Sequence, residues 1–430
     1  MSTDPARPRV SGGQADRRVF LAGVSALTAI GIGIGIPAHA QSQGPGADRL
    51  PESEPLANMA WSTRIRLDHH DDAVPLRAHG DDDEVLRRLD PRPGRNSAWI
   101  DDELRLQLDR GPWSFGALAR SRLDIRVDAD TLALIRHVDR DEPLPAGGQH
   151  WRVDARAAGF AGRGLLIGWR TGDRSTCDCA GWVELQGLQL TRWIERRWTG
   201  DAARDANDGR YSLSLQGWRR DDHQIEPFLA TPAGQGQAWL LAGGFRWAMA
   251  PGLHLSGSLH DLGGLRWRGI VEETSTVSTD TDLQQPDGQI TLAPLMQGRV
   301  RSRPSFARAP AWAQLRLDSR LAPNVSASVS TRWGTAGQGW WQFAWRQVVS
   351  PGLGLQASAH SPAWPVRRWG LEVQARPHAA HALGDLSSAV ASAGEGGAGA
   401  CSGWSIGVTA DRLSSQRRSA AFTLGWRRCG

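Results

Sequence analysis

The chain has no lysine, one tyrosine (Tyr211), four cysteines and four methionines in 430 residues. All 50 of its basic residues are therefore arginine, set against 45 acidic ones for a net charge of +5. An all-arginine complement suits planar recognition of phosphate or carboxylate, and a GC-rich coding bias produces the same composition. Beyond Val19 to Ile36 there is no apolar run long enough to cross a bilayer as a helix, which excludes a helical membrane protein. No glycine-rich loop follows a strand and opens a helix, so a nucleotide cofactor is not expected. Neither a helical His pair nor an EF-hand pattern is present, and no metal site or other cofactor is expected. The basic charge is dispersed along an exported chain, which argues against nucleic acid as a partner.

What the sequence does have is 50 glycines, 21 tryptophans and a secretory leader. Arg17-Arg18, the apolar stretch Val19 to Ile36 and Pro37-Ala38-His39-Ala40 read as a signal peptide over residues 1–40. The Arg pair is similar to a twin-arginine signal, but a chain without lysine must use arginine there, and general secretion is the expected route. Residues 41–60, rich in Gly, Pro, Ser and acids, read as a flexible linker.

From Trp61 onward apolar and polar residues alternate. The last stretch is the clearest: Trp404, Ile406, Val408 and Ala410 answer Ala420, Phe422, Leu424 and Trp426 across a turn near Ser415. One antiparallel register sets Trp404 beside Trp426, Ile406 beside Leu424 and Cys401 beside Cys429, so Cys401–Cys429 is the expected disulfide of an exported chain. Cys177 and Cys179 flank Asp178, where a bridge would be strained.

Further alternating runs begin at Trp61 and at Leu104. Trp113 to Asp128 is the longest, with Leu123, Ile125 and Val127 on the apolar side. Thr131 to Val138 fits either strand or helix. His69-His70-Asp71-Asp72 and the acidic run to Glu84 read as a solvated loop. Gly111-Pro112, Pro251-Gly252, Pro323-Asn324 and Pro351-Gly352 are tight turns alternating with long polar connections, giving two unequal rims. Counting strands gives about sixteen, with residues 61–430 forming one closed antiparallel transmembrane β-barrel.

The leader, the alternation, the unequal rims and the tryptophan positions Trp333, Trp341, Trp345, Trp369, Trp404 and Trp426 together resemble porin-like outer-membrane β-barrel proteins. The resemblance implies location in the outer membrane of a Gram-negative bacterium. It also implies lipid and the barrel assembly machinery as partners, and small solutes or polysaccharide as what passes through. On the polar parity lie Arg120, Arg122, Asp124, Arg126, Arg152, Arg156, Arg246, Arg316, Arg332, Arg346, Glu372 and Arg376. In an open lumen this set favours small anionic solutes. The opposing expectation is that these charges pair and fill a closed interior.

Two alternatives remain: a non-conducting component of polysaccharide or protein export, and a lipid hydrolase drawing on His254, Ser256, Ser258, His260 and Asp261. No catalytic residue is assigned, and the chain reads as a non-enzyme.

Overall fold

The computed structural model describes residues 59–79, 82–140, 149–171, 179–204, 211–222, 235–279, 282–284, 290–292, 296–334, 339–350, 353–361, 368–375, 403–411 and 417–429. From the rim of short turns, β1 (Met59–Asp71) rises, β2 (Arg95–Arg110) descends and β3 (Trp113–Asp128) rises again. They are followed by β4 (Gln149–Arg170), β5 (Cys179–Arg204), β6 (Tyr211–Asp221), β7 (Gly236–Ala250) and β8 (Leu253–Ser278). A small separate hairpin, β9 (Asp282–Gln284) with β10 (Ile290–Leu292), precedes β11 (Met296–Arg308), β12 (Trp312–Ala322) and β13 (Val325–Gly334). The circuit ends with β14 (Gly339–Ser350), β15 (Leu353–Ser361), β16 (Arg368–Ala375), β17 (Gly403–Ala410) and β18 (Ser419–Cys429).

Sixteen of these strands form one antiparallel sheet, which closes where β18 pairs with β1. β6 and β7 share the position between β5 and β8, and β11 and β12 share the position on the far side of β8. The sixteen strands expected from the sequence thus occupy fourteen staves, sixteen less the two that are divided. Closure matters physically, because an open sheet edge in lipid would leave backbone groups with nothing to pair.

The final hairpin has the register its parity requires, with Trp404 opposite Trp426 and Ile406 opposite Leu424. Cys401 and the side chain of Cys429 lie outside the described residues, as does Arg376. Alternation sorts solvent as well as partners: on β14, Trp341, Phe343 and Trp345 are exposed, while Ala344 and Arg346 on the other parity are buried. All six tryptophans assigned to the membrane boundary point outward and are 42–64% exposed. Large apolar side chains circle the barrel in this way, a surface that only lipid or a partner makes favourable.

The barrel is lopsided. β5 and β8 have 26 residues each, about 85 Å of strand, whereas β16 and β17 have eight. One wall, made of β3 to β6, β8 and β11, therefore stands far above the rest. Its outer face is not lipid-facing at that height. The segment Thr131 to Val138 resolves as helix α2 (Ala129–Arg140), started by the Asp128 carboxylate accepting the Thr131 N–H at 2.8 Å. Together with α1 (Asp82–Arg87), this helix buries Val127, Leu132 and Ile135 with Val85 and Leu86, while Leu134 packs on Trp151, Val153 and Leu215. The outward apolar residues Ile125 and Val127 are thus covered by protein instead of lipid.

The His-Asp stretch is a second correction, because it is ordered and not a solvated loop. His70 is buried and stacks on Trp99 with ring centroids 3.9 Å apart; His69 meets Asp102 at 2.9 Å and His79 meets Asp71 at 2.9 Å. Burial raises the Asp72 carboxyl, but His70, Arg92 and the Ser97 hydroxyl outweigh it and hold the group well below the usual carboxylate range. Among the described residues no group of His, Cys, Asp and Glu has metal-binding geometry.

Candidate functional site in the barrel interior

The side chains that face inward from β1, β2 and β3 form a lattice of ion pairs. Arg66 donates to Asp101 at 2.7 Å, Arg64 to Glu103 at 2.5 Å, and Arg105 grips Glu184 of β5 with two bonds of 2.7 and 3.0 Å. Asp261 of β8 accepts from Arg120 at 2.5 and 2.8 Å and from Arg122 at 2.8 Å; Arg122 also donates to Asp124 at 3.1 Å. Asp261 reaches them because it occupies a left-handed backbone position, φ 63°, at an irregularity between the two halves of β8. It is 2% exposed.

Arg332 closes the lattice from the opposite wall, donating to Asp101 at 3.4 Å while its guanidinium lies 3.9 Å above the Trp312 ring. Between β2 and β13 six staves intervene in either direction. A round barrel of fourteen staves is roughly 25–30 Å across at the backbone. That exceeds the combined reach of an Arg and an Asp, so the barrel is flattened at this level.

Arginines 64, 66, 105, 120, 122 and 332 are matched by Asp101, Glu103, Asp124, Glu184 and Asp261, with buried Asp68 acting on Arg66 and Arg332. Six guanidinium groups thus face six carboxylates.

The remaining inward residues divide among three places. Arg316 pairs with Asp318 at 2.7 Å, Glu372 accepts from Gln374 at 2.8 Å, and Arg346 lies buried beside Arg316, Asp318 and Gln356; this wall is polar. Arg246 sits on β7 between Ala180 and Ser256. Arg126, Arg152 and Arg156 lie higher, on the protruding wall.

The wall from β3 to β11 differs. Leu118, Phe160, Leu166, Leu188, Leu190, Trp193, Leu240, Leu265, Trp267 and Ile270 face inward and pack into one buried apolar cluster. Gly269, φ 74°, resets the alternation so that Trp267 and Ile270 share this face. The expected water-filled, charged lumen is therefore half replaced by oil. The alternation hid it: Leu165-Leu166-Ile167 and Leu240-Leu241 are apolar on both parities, and one parity alone was enough to explain them as lipid-facing. The acids Asp101, Glu184 and Asp261 were also missed as lattice members. The residues proposed for a hydrolase are occupied otherwise: the His260 ring stacks on Trp312 at 3.9 Å with Trp182 on its other flank, and Asp261 is held by the two arginines.

No protein-family model and no curated protein matches the chain. Solved structures do. The Ralstonia pickettii toluene transporter TbuX aligns over 86% of this chain and 89% of its own, at 8% identity and a TM-score of 0.38. A Pseudomonas aeruginosa FadL homologue aligns over 86% and 90%, at 10% identity and a TM-score of 0.37. A mutant of the monoaromatic hydrocarbon channel TodX gives 86% and 90%, at 9% and 0.37. Overlap of this order describes strands running around a barrel and carries no statement about solute. Closure, the outward apolar band and the unequal rims are this chain's own. The chain is a closed antiparallel β-barrel of the membrane-spanning kind.

Proposed function

We propose that the barrel is a transporter for small uncharged apolar solutes. The observation that carries this reading is the inward apolar cluster on the β3 to β11 wall, which contains Phe160, Trp193 and Trp267. These side chains are buried against one another, so no water column runs through this half of the barrel, and an apolar solute entering between them would gain about 25 cal/mol for each Å² covered. The charge lattice gives no reason to prefer anions, since its six arginines are matched by six carboxylates and leave little net field. Anion selectivity is withdrawn for that reason.

The test is flux into proteoliposomes of an uncharged aromatic solute compared with an anion of similar size. Faster entry of the aromatic solute, abolished by Phe160→Asp with Leu188→Asp, supports the reading. Equal entry, or faster entry of the anion, removes it. A barrel that passes neither solute supports the second reading, a non-conducting component of an export or assembly system, for which the Arg332 to Asp101 bridge across the interior is the favouring observation.

Two features stand beside this reading. Removal of residues 1–40 accompanies export. We infer a Cys401–Cys429 bond from the parity of the final hairpin, whose described register begins with Gly403 opposite Arg427. Mass spectrometry of unreduced peptides checks it, and a free Cys429 thiol in the mature protein contradicts it.

A further inference from the structure

Above the apolar cluster, on the same face of the protruding wall, cross-strand register sets like charges side by side. Arg126 of β3 lies opposite Arg156 of β4, and Arg156 opposite Arg197 of β5. The row continues through Trp218 and Thr274 to Arg299 of β11. Directly opposed residues have Cβ atoms about 5 Å apart, and like charges so placed destabilise a sheet.

The row beneath shows how this wall handles charge elsewhere. It runs Asp124, Ala158, Glu195, Arg220, Glu272, Arg301, and from Glu195 onward its signs alternate. Arg220 donates to Glu195 at 2.9 Å, and Glu272 accepts from Arg303 at 2.7 Å. The arginine row has no such balance. Among the described residues, Arg156, Arg197 and Arg299 have no ion-pair partner, and Nη2 of Arg126 is buried without a hydrogen-bond acceptor. Nearby carboxylates are committed: Asp124 to Arg122, Asp128 to the start of α2, Asp154 to Arg95 at 4.0 Å, and Glu195 to Arg220.

We propose that Arg126, Arg156 and Arg197 form a binding site for a soluble phosphate-bearing ligand on the rim of long connections. Three guanidinium forks on adjacent strands match an oxyanion with several acceptors, and more closely so where two or three phosphates follow one another. Trp218, next in the row and with Arg220 4.9 Å from its ring centroid, offers a flat face beside the anion. The wall's other face carries α2, so this site faces the barrel axis and not the lipid leaflet. Arg156 lies seven residues above outward-facing Arg163, about 23 Å along the strand. The proposal is independent of the apolar passage and survives its failure.

The experiment uses the full barrel in detergent at low ionic strength, titrated calorimetrically with tripolyphosphate, inorganic phosphate, citrate and purified lipopolysaccharide. Saturable binding of tripolyphosphate, weaker binding of phosphate, and at least a tenfold loss in Arg156→Gln/Arg197→Gln are expected, with affinity falling as salt rises. Citrate binding as tightly as tripolyphosphate overturns the phosphate assignment. A response of lipopolysaccharide alone to the double substitution overturns a soluble ligand. A purely structural role for the row predicts that the double variant unfolds at lower temperature on heat-modifiable gels. Removing like-charge opposition predicts no such loss, so the variant remains interpretable. Absence of saturable tripolyphosphate binding sinks the proposal.

Discussion

Replacing Asp261 with alanine is expected to destabilise the barrel by about 3–5 kcal/mol, the usual cost of removing one member of a buried ionic cluster. The magnitude follows from what is left behind. Arg120 and Arg122 each donate to this carboxylate and are themselves 6% exposed, so its loss leaves two buried guanidinium groups under-paired, Arg120 with Asp101 at 3.8 Å and Arg122 with Asp124. Asp261→Gly sharpens the argument. Glycine adopts its left-handed φ of 63° without the steric cost of about 1–2 kcal/mol that an L-residue carries there, yet the lost ion pairs outweigh that relief and the variant still falls. Adding Arg120→Met to Asp261→Ala should recover part of the loss, because one stranded charge is removed. Urea midpoints after refolding into lipid vesicles measure all three variants. Unchanged stability in Asp261→Gly would show that the lattice is solvated and its pairing of little consequence.

Leu165→Arg is expected to cost about 2–4 kcal/mol, the range for arginine on the lipid face near the middle of the bilayer. Leu165 is 70% exposed on the outer face of β4, beside Ala117 of β3 and Gly187 of β5. In a water-soluble protein a side chain so exposed tolerates arginine within about 0.5 kcal/mol. The two expectations differ enough for one substitution to separate them. The same urea refolding experiment reads the result, with Leu321→Arg beyond the membrane band, on a strand end at the short-turn rim, as a comparison that should cost less.

The parts of this fold that the sequence made legible are those set by local period. Strands alternate because lipid and interior alternate, and the final hairpin could be paired residue by residue, Trp404 with Trp426, because both strands keep one period to the end. The turns at Gly111 and Gly252 were readable because each residue takes a positive φ, 56° and 78°, that favours glycine.

What stayed hidden depends on contacts across the chain. Asp101 and Arg332 are separated by 231 residues, and nothing in either neighbourhood names the other. The apolar interior escaped because Leu118, Leu166 and Leu188 sit beside outward residues that already accounted for the hydrophobicity. Thr131 to Val138 was ambiguous because its apolar residues satisfy both periods, and the Asp128 cap decided for helix. The row of arginines was visible as residues, but only register shows that three of them are adjacent.

Neighbouring residues of each stave face different media, lipid on one side and a self-neutralised or apolar interior on the other. Spin labels placed one at a time at positions 341 to 346 of β14, in the reconstituted barrel, test it most directly by their accessibility to oxygen and to a water-soluble nickel chelate. Positions 341, 343 and 345 should be open to oxygen and closed to nickel, and positions 342, 344 and 346 should be shielded from oxygen. A flat profile, or nickel access at 343, would contradict the account.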